Sequence, residues 1–60
     1  MKLGALLKHI PVYQEVILME NLKEFARGKA NHKDITQYDN KTVGLIIALD
    51  NQLIIKVYTR

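Results

Sequence analysis

The spacing of apolar positions is helical at the start of the chain and extended soon after. Leu3, Leu6, Leu7 and Ile10 fall at i, i+3, i+4 and i+7, which is one apolar stripe of an amphipathic helix. Lys2, Lys8 and His9 fall off the stripe, and Lys8 and His9 sit where a last turn would be, the end of a helix that favours positive charge. Pro11 stops the helix, because a proline drives the residue before it toward an extended conformation. So short a helix is marginal by itself in water. Its stripe must rest on a flat apolar surface.

The rest of the chain supplies that surface. Glu15–Glu20 (EVILME) is rich in β-branched and apolar residues and reads as a strand. Asn21-Leu22-Lys23 is a turn candidate, and residues 24–30 alternate Phe25, Arg27 and Lys29 against Ala26, Gly28 and Ala30. This second strand pairs antiparallel with the first and suits a sheet edge, with Gly28 marking a bulge. Residues 33–38 have the makings of one or two helical turns, with Asn31 as cap and Ile35 and Tyr38 as anchors. Thr42–Leu49 is the most apolar strand, Asp50-Asn51-Gln52 the clearest turn, and residues 53–59 close a second hairpin.

Loop length decides which faces of that hairpin meet. A three-residue loop sets Val43, Leu45, Ile47 and Leu49 beside Leu53, Ile55 and Val57, and leaves Gly44, Ile46, Ala48, Ile54, Lys56 and Tyr58 on the other face. A two-residue loop mixes Lys56 with Leu45. Keeping one apolar set on one face favours three residues, with Asn51 or Gln52 left-handed. The pattern therefore predicts one α+β domain over residues 1–60, in the order α-β-β-α-β-β. Its N-terminal helix packs on a four-stranded, mainly antiparallel sheet whose strand order is left open.

Composition narrows the picture. At 60 residues the core is small, and domains of this size commonly need a staple or self-association. With no cysteine there is no disulfide and no thiolate metal site. His9 and His32 lack ligand spacing, so no metal or cofactor is expected. No stretch has the layout of a signal peptide or a membrane span, which reads as a cytoplasmic protein. The Asn40-Lys41-Thr42 acceptor pattern is then a chance match. A net charge of +3 permits acidic partners without demanding them.

Several stretches carry a resemblance: Leu6-Leu7-Lys8-His9-Ile10-Pro11, Gln14-Glu15-Val16, Phe25-Ala26-Arg27-Gly28-Lys29-Ala30 and Ala48-Leu49-Asp50-Asn51-Gln52-Leu53-Ile54-Ile55. Together they resemble small uncharacterised bacteriophage and prophage proteins of Gram-positive bacteria. The resemblance covers most of the chain and rests on structural motifs. It implies a phage or prophage origin, with the host cytoplasm as its location, and no particular activity. The basic charge departs from the acidic character expected of that group.

The constellations of catalysis are missing from the sequence. There is no serine or cysteine nucleophile, and no motif gives Thr36, Thr42 or Thr59 a basic partner. Gly4, Gly28 and Gly44 are isolated and form no phosphate loop. His32 reads as a solvated loop residue, and first-turn charge and loop solvation account for Asp34 and Asp39. The chain therefore reads as a non-catalytic binding protein, without a small-molecule substrate. One candidate surface is Ile46, Ile54 and Tyr58, left bare if the helix covers the opposite sheet face. Such a patch commonly marks a protein interface, with a homodimer as the simplest occupant; cover by the second helix or the first hairpin explains the same residues. The other candidate is Lys23, Phe25, Arg27, Lys29 and Lys33, a basic arm with an aromatic for a nucleic-acid strand. An edge kept soluble by charge explains the same residues. A third reading, from size and resemblance alone, is an inhibitor of a host enzyme or defence complex.

Overall fold

The computed structural model describes residues 1–58; Thr59, assigned to the last strand by the pattern, lies outside them. The elements are α1 (Leu3–Leu7), β1 (Glu15–Glu20), β2 (Lys23–Lys29), α2 (Lys33–Thr36), β3 (Thr42–Leu49) and β4 (Gln52–Tyr58). The class is α+β. The four strands form one sheet in the order β2-β1-β4-β3. Two antiparallel hairpins, β1/β2 and β3/β4, are joined through a parallel β1/β4 pair. Gln14 clamps that junction, its side-chain amide donating to the Asn51 carbonyl oxygen at 2.7 Å and to that of Glu15 at 3.0 Å.

Both hairpins turn on two residues. Asn21 and Leu22 have φ of 54° and 66°, and Asp50 and Asn51 have 52° and 64°. Two successive left-handed residues make the turn whose twist matches the strands it joins. The three-residue loop expected from the apolar pattern is thus replaced by a two-residue one. Leu45 pairs with Lys56, Ile46 with Ile55 and Ile47 with Ile54. The turn sets the register, and a break in the pairing between Val43 and Leu45 restores the apolar phase. Gly44 is the extra residue there, so Val43 keeps company with Val57 while Leu45 moves to the opposite face.

Leu3, Val16, Leu18, Ala30, Ile35, Ile55 and Val57 form the buried core, with Leu6, Leu7, Ile10, Ala26, Tyr38, Val43 and Leu53 packed against it. The core lies between the sheet and the two helices. α1 is shorter than its stripe: Lys8 is already the C-cap, so Lys8 and His9 lie beyond the helix. Bonds from His9 N–H to Leu6 O and from Ile10 N–H to Leu7 O tighten the chain before Pro11. The segment before α1 is stitched to the start of β3. Lys2 bridges Thr42, Val43 N–H donates to Met1 O at 2.8 Å, and Leu3 N–H donates to Lys41 O at 2.8 Å.

Two local expectations change. α2 is capped by His32 rather than Asn31, its Nδ1 accepting from Asp34 N–H at 3.0 Å. Gly28 pairs regularly with Val16, and the bulge of the first hairpin falls at Phe25, between the Leu18–Ala26 and Met19–Glu24 pairs.

Candidate interaction edge

β3 is an outer strand of the sheet; its start packs against the core through Val43, and the rest is left uncovered. Residues 44–49 are exposed without interruption. Leu45 is 48%, Ile46 44%, Ile47 40% and Leu49 57% exposed. Leu45, Ile47 and Leu49 point to the helix-free face, and Ile46 and Ala48 to the helix-bearing face. The strand is thus bare and apolar on both sides, and Thr42–Leu49 carries no charged residue.

The hairpin geometry also fixes which backbone groups face outward. Around a two-residue turn the closing pair, here Leu49–Gln52, is hydrogen-bonded, and bonded and non-bonded pairs then alternate. Ile47–Ile54 and Leu45–Lys56 are bonded pairs; Ile46–Ile55 and Ala48–Leu53 are not. The N–H and C=O of Ile46 and Ala48 therefore point away from β4. Before the Gly44 bulge the outward residues are Lys41 and Val43, which meet Leu3 and Met1. After it the outward groups of Ile46 and Ala48 have no partner among the described residues.

Cross-strand rows give the sheet a gradient of polarity. On the helix-free face one row runs Arg27–Ile17–Ile54–Ile47 and another Lys29–Glu15–Gln52–Leu49. On the other face one runs Ala26–Leu18–Ile55–Ile46. On the helix-free face the rows are charged at the β2 edge and apolar at the β3 edge. Of the predicted interface residues, Ile54 and Tyr58 share the helix-free face. Ile46 does not join them; it lies on the helix-bearing side with Ile55, because the two-residue turn shifted the register. Leu45, Ile47 and Leu49, expected inside, take its place. Tyr58, 55% exposed, lays its ring over Gly44, where an added Cβ would come within 2.7 Å of Cζ.

The basic arm is divided by the fold. Arg27 and Lys29 face the helix-free side, whereas Phe25, rotated by its bulge, faces the helices and meets Tyr38 edge-on at 4.9 Å between centroids. It therefore does not share the face of Arg27 and Lys29, as strict alternation predicted. Lys33 begins α2, in the layer opposite Arg27. Lys23 is exposed at the hairpin tip, paired in register with Glu20. Arg27 holds the Glu24 carboxylate with Nε at 2.6 Å and Nη2 at 2.7 Å, and Lys29 lies 3.5 Å from Glu15. The hydrogen bond from Arg27 holds the Glu24 carboxyl below its ordinary pKa, and the same bond raises that of Arg27.

Sequence reasoning missed a half-buried cluster on the helix side. Lys41 Nζ lies 2.9 Å from Glu20 Oε1, and 5.5 Å and 5.9 Å from the Phe25 and Tyr38 ring centroids. The bulge at Phe25 brings its ring to Tyr38 and Lys41, and no sequence signal announces it. Among the described residues no three His, Asp or Glu side chains gather as a metal site. No described helix is long and apolar enough to cross a membrane. Set against known protein families, curated proteins and solved structures, the chain matches none of them.

Proposed function

We propose that this protein is a small non-catalytic interaction module that works by adding an extended segment of a protein partner to the β3 edge. One observation carries this reading: residues 44–49 are exposed on both faces, carry no charge, and turn backbone groups outward along the sheet edge.

 The two outward residues are Ile46 and Ala48. Proteins usually blunt such an edge with lysine, proline or a bulge. Here β2 carries the charges and β3 carries none. Strand addition uses the main chain for affinity and alternate side chains for specificity, and both are on offer along β3. The resemblance to phage and prophage proteins makes a host protein one candidate partner, and a second copy of the chain is another.

The test is amide hydrogen exchange at Ile46 and Ala48, read by NMR at low and high protein concentration, and with a lysine-flanked peptide of alternating valine and threonine. Slowed exchange at these two amides in either series supports the edge. Solvent-like exchange under every condition overturns it. A short mixed-sequence DNA belongs in the same experiment. Shifts confined to Arg27, Lys29 and Lys33 and abolished by salt would favour the nucleic-acid alternative, because phosphate contacts are salt-sensitive.

A further inference from the structure

We infer that the occupant of the β3 edge is the β3 edge of a second copy, paired antiparallel about a two-fold axis through Ile47. The inference rests on the interaction-edge reading and names its partner.

Three observations select a second copy. The first is charge. Thr42–Leu49 has no ionisable side chain, so antiparallel self-pairing sets no like charges opposite each other, whereas β2 would bring Lys23, Arg27 and Lys29 against their own copies. The second is register. The outer side of Val43 is already taken by Met1, so a partner strand has only residues 44–49. Antiparallel pairing must match outward residues with outward ones. Centring on Ile46 would run Leu49 of the second copy against Val43 and into Met1. Pairing Ile46 with Ala48 of the second copy, with Ile47 on the axis, stays within the free edge. The third is fit. That register sets a large side chain, Ile46, beside a small one, Ala48, on the helix-bearing face, and Leu45 beside Leu49 on the other.

The area available is of the size a small specific contact needs. Leu45, Ile46, Ile47 and Leu49 together expose roughly 300–400 Å² per copy, and with the backbone, Ala48 and Tyr58 this sets an upper bound near the ~1,000 Å² of a specific interface. The product is one continuous eight-stranded sheet. The row Ile17–Ile54–Ile47 runs on into Ile47, Ile54 and Ile17 of the second copy.

Cysteine scanning tests the register, because the chain has no cysteine of its own. On the axis, Ile47 meets itself in a non-hydrogen-bonded pair, where Cα atoms are ~4.5 Å apart, within the ~4.4–6.8 Å range of a disulfide. In oxidised glutathione, Ile47→Cys is expected to form a covalent dimer, while Leu45→Cys and Leu49→Cys alone remain monomeric. The double variant carrying both should cross-link. Equal cross-linking of Leu49→Cys and Ile47→Cys overturns the inference, as does no cross-linking by Ile47→Cys in a chain whose amide spectrum shows it folded. A second measurement uses the unaltered chain. Exchange at Ile46 and Ala48 should slow with concentration; slowing by the valine–threonine peptide alone overturns self-pairing and leaves the interaction edge standing.

Discussion

Leu22 is the residue least suited to its place. It occupies a left-handed position, φ 66°, that costs a branched or bulky L-residue about 1–2 kcal/mol. It is also 82% exposed, so its side chain contributes no core packing. Leu22→Gly would create the Asn-Gly pair preferred in this turn. Part of the relief is offset by glycine's greater freedom in the unfolded chain, about 0.5–1 kcal/mol. The net expectation is a gain of about 0.5–1 kcal/mol in the denaturant midpoint analysis; a loss would contradict the turn. Arg27 offers a test by titration. Its hydrogen bond depresses the Glu24 pKa, so whatever this pair adds to stability is present above the carboxylate's unfolded pKa and is lost as pH falls through the folded one. Arg27→Gln is expected to return the Glu24 titration, followed by NMR, upward to the ordinary range. An unmoved titration would show that the ion pair does not form in solution.

At the scale of elements, two bulges decide what faces where. One rotates Phe25 onto Tyr38 and Lys41, and the other, at Gly44, turns the outer edge of β3 from closed to open. The Tyr58 ring lies on Gly44, a way of shielding a strand glycine that has no side chain to pack. Gly44→Ala is expected to displace that ring, seen as loss of nuclear Overhauser contacts between Tyr58 and residue 44, at a cost of about 1 kcal/mol. Retained contacts would mean the bulge itself yields instead. The elements were legible because their signals are local: the Leu3/Leu6/Leu7/Ile10 stripe, Pro11 as a stop, the β-branched runs of β1, β3 and β4. The bulges were not, because each depends on a strand partner that the local pattern does not name. Loop length followed the same logic. Keeping Lys56 away from Leu45 argues for three residues, but the backbone twist at Asp50-Asn51 outweighs the presence of one half-buried lysine on that face, since a lysine stem covers apolar surface at little cost.

For the whole molecule, the sheet is two hairpins held together by the parallel β1–β4 pair and by core side chains from both. The helix layer is short. α2 lies over β2, at the far edge, and residues 44–49 of β3 are left outside. This explains why the candidate surface is only partly legible in the sequence: Ile54 and Tyr58 share the helix-free face, but the bareness of Leu45, Ile47 and Leu49 follows from strand order, which no residue pattern gives. It also explains the fate of two members of the basic arm, Arg27 and Lys29, which pair with Glu24 and Glu15 on the side of the sheet away from β3.

The absence of charge from Thr42–Leu49 has a consequence for control. Exposed ion pairs weaken with salt, and histidine-bearing contacts switch near neutral pH. Within the strand itself neither kind of group is present for acidity or ionic strength to act on. Under the self-pairing proposed above, the amount of chain present sets how much of the edge is covered, and synthesis rate rather than acidity is the lever on it.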